Sequence, residues 1–79
     1  MKINEAVKEK INKILIERDI TINKLASISC LTQSTVDILV NGKSKNPKLL
    51  TIVRIWDGLG IDLKEFFDDE IFKNVDRED

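Results

Sequence analysis

Residues 31–43, LTQSTVDILVNGK, decide the fold of this chain. Thr32 has the hydroxyl side chain that caps a helix start, and Gln33, Ser34 and Thr35 would fill the first turn. Val36 and Leu39 fall on one face at helical spacing, and Asn41-Gly42 closes the segment just before Lys43. The predicted element is therefore a short helix with an apolar inner side and a crowded set of small hydrogen-bonding groups at its start. Such groups, held at a helix N-terminus, suit the reading of base edges in a DNA major groove. From local sequence alone, the same three residues equally fit an ordinary solvated first turn.

Working outward, helix signals recur on both sides. Upstream, Thr21 caps a second short helix that carries Leu25 and Ala26, and a break at Ser29-Cys30-Leu31 separates it from Thr32. Further back, residues 4–18 read as a helix with Asn4 as N-cap and Glu5 in the first turn. Its apolar stripe is Ile3, Val7, Ile11, Ile14 and Leu15. Downstream, the loop from Lys43 to Pro47 is rich in chain-breaking residues. Leu49, Ile52, Val53, Ile55, Trp56 and Leu59 then form a fourth helix, stopped by Gly60. Asp62 caps a fifth with Leu63, Phe66 and Phe67. No period-two run is long enough for a strand, and the expected class is all-α.

Two short helices joined by a tight turn need a small residue where their backbones cross and an unusual backbone angle in the turn. Ala26 and Cys30 occupy those places. The order Thr32-Gln33-Ser34-Thr35-Val36, Asn41-Gly42-Lys43, Pro47, Leu49, Ile52, Leu59-Gly60 and Leu63-x-x-Phe66-Phe67 resembles the phage-repressor-type (Xre/Cro family) helix-turn-helix domains. The resemblance spans roughly residues 7–68. It implies a compact five-helix lambda-repressor-like domain, with the helix-turn-helix as second and third helices. It further implies sequence-specific binding of double-stranded DNA, a homodimer, and transcriptional regulation, most often repression.

Carried over by position, the resemblance assigns base contacts to Gln33, Ser34, Thr35, Asp37 and Ile38. Gln33 is suited to a bidentate contact with adenine, and Ile38 to a thymine methyl group. Asp37 could accept from a cytosine amino group or simply repel phosphate. Phosphate contacts are expected from Thr21, Asn23, Thr32, Lys43, Lys45 and Lys48. The chain departs from the family in places. Ile22 stands where glutamine is common, and Lys48 stands where a serine cap is usual. Trp56 fills a slot that tends to hold a small residue, with Gly58 making room. Leu15, Ile16, Val40 and Leu50 replace commoner polar residues, an apolar surplus that points to a partner. Phe67, Ile71 and Phe72 are the expected dimer contacts. A protein-interaction module, such as an antitoxin or an antirepressor-binding protein, is the alternative function.

Composition limits the other possibilities. With 79 residues there is room for one small domain, and 42% hydrophobic with 34% charged residues describes a folded chain. The expected organisation is a helix-turn-helix domain over 1–68 and an acidic C-terminal tail over 69–79. That tail is a short helical extension, a dimer contact, or simply solvated. The net charge of −1 conceals an asymmetry. Residues 1–59 carry ten Lys/Arg against six Asp/Glu, whereas residues 60–79 carry three against eight. A basic body could thus face DNA while the acidic segment points away. One cysteine and no histidine leave no disulfide framework or transition-metal cluster. No catalytic pairing, cofactor or membrane span is expected, and the expected location is the cytoplasm.

Overall fold

The computed structural model describes residues 1–76, which fold into five α-helices and a final 3-10 turn. These are α1 (Ile3–Arg18), α2 (Ile22–Ile28), α3 (Gln33–Val40), α4 (Leu49–Leu59) and α5 (Leu63–Phe67), followed by the 3-10 helix Glu70–Asn74. The described residues contain no strand, and the architecture is the all-α, five-helix arrangement expected from sequence. Thr21, Thr32 and Asp62 are N-caps, each accepting a hydrogen bond from the backbone N–H three residues on. α1 differs from expectation. It begins one residue earlier, after Lys2, and Asn4 lies inside its first turn. The Glu5 carboxylate reaches back to accept from the Lys2 N–H at 3.2 Å, so the helix start is satisfied without an Asn4 cap.

One closing device ends each of the first four helices. Asp19, Cys30, Gly42 and Gly60 all have left-handed backbones, with φ of 52°, 56°, 70° and 72°. In each case the next N–H reaches back five residues, from Ile20 to Leu15, Leu31 to Ala26, Lys43 to Ile38, and Ile61 to Trp56. These are Schellman closures, which pair carbonyls that a helix end otherwise leaves unmatched. Ile20, Leu31 and Ile61 then pack against the core, so three of the four closures also anchor the chain.

The core is drawn from all five α-helices, with Ile11, Leu25, Val36, Ile55 and Phe66 its largest fully enclosed side chains. Trp56 is buried, and its ring lies 5.9 Å from Phe66 and 6.0 Å from Phe67. Gly58 makes room for a different neighbour than expected. A Cβ there would sit 2.5 Å from the Ile28 carbonyl oxygen and 2.8 Å from Ser29 Oγ. It therefore admits the end of α2 rather than the Trp56 ring. The apolar surplus also divides. Val40 is buried and Leu15 packs against the core, whereas Ile16 and Leu50 are 80% and 60% exposed.

Residue 68 does not mark a break in packing. Residues 69–76 fold back onto α1, where Asp69 Oδ2 meets Lys10 Nζ at 3.0 Å and Lys13 Nζ at 2.9 Å. The Asp69 side chain is only 6% exposed and also accepts from the Ile71 N–H. Hydrogen bonding from Lys13, then from Ile71 and Lys10, holds its carboxyl far below the ordinary carboxylate range. Lys13 is raised in turn, chiefly by its hydrogen bond to Asp69.

Candidate nucleic-acid interface

α2 and α3 pack against each other, with Leu25 and Ala26 buried on one side and Val36, Leu39 and Val40 on the other. Burying those three residues of α3 determines what faces outward. At about 100° per residue, Gln33, Asp37, Asn41, Ser34 and Ile38 follow one another around an exposed arc of about 140°. All five are exposed, including Ile38 at 43%. Thr35 sits at the margin, half-buried, and its hydroxyl lies 2.8 Å from that of its cap, Thr32. Each of these two hydroxyls is thus already engaged within the protein.

Asp37 is engaged too. The Asn41 amide donates to its carboxylate at 3.0 Å, so the two form a polar step one turn apart on the exposed arc. Asn41 was expected only as part of the helix stop. Its place beside Asp37 and Gln33, at spacings of four and eight, is the signal that puts it on the candidate surface. Lys24 is a second addition, exposed in the first turn of α2 with its N–H bound to Thr21.

The loop after α3 brings the expected cations toward this surface from two directions. Lys48 and Pro47 line a cleft of about 320 Å³ with Thr35, Ile38 and Thr51. Lys43 and Lys45 line a neighbouring groove with Lys2, Ile3 and Asn4 from the start of α1. Thr21 and Asn23 stand exposed at the start of α2, outside both clefts. Lys48 occupies the N-cap of α4 without a side-chain cap bond. A cation there is disfavoured by the helix dipole and gains when an anion approaches.

Lys10, Lys13 and Lys73 are paired with carboxylates, whereas Lys2, Lys8, Lys24, Lys43, Lys45 and Lys48 have no ion-pair partner among the described residues. The three expected dimer residues are less free than their sequence suggests. Phe67 and Phe72 stack edge-on at 4.9 Å and pack against the domain's own core, and Ile71 is half-buried. Leu63, one turn before Phe67 on α5, is 58% exposed.

A capped pair of helices presenting a polar arc beside unpaired lysines is the arrangement of a helix-turn-helix DNA-binding domain. A family model for the Cro/C1-type HTH DNA-binding domain matches residues 10–70. The chain belongs to that family. No curated protein and no solved structure gives a match. No helix among the described residues is long and apolar enough to cross a membrane.

Proposed function

We propose that this protein is a sequence-specific regulator of transcription, a homodimeric repressor that reads a palindromic operator through α3. The observation that carries the reading is the exposed arc of α3, flanked by unpaired lysines of the following loop. Gln33 and Ser34 present hydrogen-bonding groups, Ile38 presents an apolar contact for a thymine methyl, and Asp37 with Asn41 offers acceptor and donor. Thr35 and Thr32 contribute a shared hydroxyl pair at the margin. Thr21, Asn23, Lys43, Lys45 and Lys48 hold the backbone, fixing register without reading sequence. A single small module buries only about 600–1,000 Å² on DNA, so two copies reading half-sites about 34 Å apart supply both affinity and symmetry. Leu63 and Phe67, one turn apart on α5, with Ile71 and Phe72 beside them, form the proposed contact between copies.

Selection of bound sequences from random duplex DNA, together with sedimentation, tests this reading. An enriched palindrome and a dimer at micromolar concentration are expected. Gln33→Ala should alter the preferred base at one position per half-site, at about 1–3 kcal/mol of discrimination. Lys43→Ala should weaken all sequences nearly equally. A monomer at high micromolar concentration would remove the dimer. No enrichment, together with a stoichiometric protein partner, would favour the antitoxin-type alternative instead.

A further inference from the structure

Asn4, Lys8 and Asn12 form one row along α1, a turn apart, and the row lies against the end of α3. The Asn12 amide donates to the Val40 carbonyl at 3.0 Å. The Lys8 side chain crosses Gly42 so closely that a Cβ there would lie 3.0 Å from Lys8 Cδ. Lys2, Ile3 and Asn4 share a groove with Gly42, Lys43, Lys45 and Asn46. Four lysines from two separate elements therefore gather at one corner of the molecule. None has an ion-pair partner among the described residues. Glu5, three residues from both Lys2 and Lys8, accepts from the Lys2 backbone N–H, and Glu9, next to Lys8 in sequence, forms no ion pair among the described residues. Lys2 also stands at the N-terminus of α1, where the helix dipole adds to its positive charge instead of offsetting it.

We infer that Lys2 and Lys8, with the loop lysines Lys43 and Lys45, form a second phosphate-binding surface that grips the DNA backbone on the flank of the segment read by α3. The inference rests on the proposed function and extends its footprint to α1. The partner chemistry is a row of phosphodiesters, because Lys2 on one wall and Lys43 and Lys45 on the other line an open groove, with Lys8 lying against Gly42 at its edge. Gly42 has two roles in this arrangement. Its left-handed backbone closes α3, and its missing side chain leaves room for the Lys8 side chain to lie across it.

The double variant Lys2→Gln/Lys8→Met tests it, since methionine keeps an unbranched stem over Gly42 and circular dichroism verifies the fold. Affinity is measured by fluorescence anisotropy on the selected duplex, with and without about ten flanking base pairs, between 50 and 200 mM salt. On the long duplex the variant should bind roughly tenfold more weakly, with a salt slope shallower by about 2 and unchanged base preference. On the short duplex the difference should vanish. Wild-type affinity and slope in the variant on the long duplex would overturn the second surface alone. Failure of the wild-type protein to bind any duplex would overturn the proposed function and this inference together.

Discussion

Cys30 shows how far a single position can be read before any coordinates are known. The interruption between Leu25-Ala26 and Thr32 requires the chain to turn within a few residues, which places an unusual backbone angle at Cys30. Its φ of 56° meets that requirement in a residue type that bears a Cβ. Left-handed backbone costs a non-glycine residue roughly 1–2 kcal/mol, while glycine adds about 0.5–1 kcal/mol of unfolded-chain entropy. Cys30→Gly should therefore leave stability unchanged or raise it by up to about 1.5 kcal/mol. Urea unfolding followed by circular dichroism measures this, and a clear loss would mean that the Cys30 side chain has a packing role. Asp19 has the same geometry, yet nothing in its local sequence announced it, because aspartate is ordinary in any solvated turn. Asn41 was missed for a related reason. Next to glycine it reads as punctuation, and only the burial of Val36, Leu39 and Val40 reveals that its side chain shares the exposed arc.

At the scale of elements, periodicity located every α-helix, since each has an apolar stripe and three have hydroxyl or carboxylate caps at their starts. What periodicity does not carry is which element approaches which. Gly58 illustrates the gap. Inside a helix it reads as space for the bulky neighbour Trp56, whereas its bare backbone receives the Ile28 carbonyl of α2. Gly58→Ala places a methyl group 2.5 Å from that oxygen, and neither backbone can yield without moving the helix-turn-helix. Overpacking of this kind costs about 1–3 kcal/mol, more than the helix propensity gained from alanine. A lowered thermal midpoint with weakened DNA binding is the expected result. An unchanged midpoint would show that α2 and α4 can separate freely, contrary to their close approach. The 3-10 segment was less legible still. Asp69 lies 59 residues from Lys10 and 56 from Lys13 in sequence, so no local pattern could pair them.

For the whole molecule, that pairing links stability to acidity. Asp69 is held below its unfolded range by Lys13, Ile71 and Lys10, so its contribution is present above the ordinary aspartate pKa of about 4. As pH falls from about 5 toward that value and below, the unfolded chain takes up a proton that the folded chain resists, and the stabilisation is lost. Unfolding free energy should decline through this window in the wild type. In Asp69→Asn it should begin lower at neutral pH and decline less steeply. Parallel pH profiles for the two proteins would show that the clamp contributes nothing measurable. The charge asymmetry between residues 1–59 and 60–79 was visible in the sequence, but the described part of the acidic segment, to residue 76, is not a streamer in solvent. It docks on α1, and helix geometry puts Lys10 about 200° around from Lys8.

That placement has a kinetic consequence. A protein of net charge −1 is, taken as a point, weakly repelled by a polyanion. This one nevertheless gathers the unpaired Lys2, Lys43, Lys45 and Lys48 in the two clefts beside α3, while the carboxylates of residues 60–76 fall on α5 and the 3-10 segment, so it is an electric dipole. In the field of a duplex such a dipole experiences a torque as well as a force, and the proposed interface implies that within about a Debye length the torque turns α3 and the lysine loop inward before any atom touches. Orientation then precedes contact. Encounters become productive more often than the net charge allows, and added salt diminishes that advantage by shortening the range over which the molecule can turn.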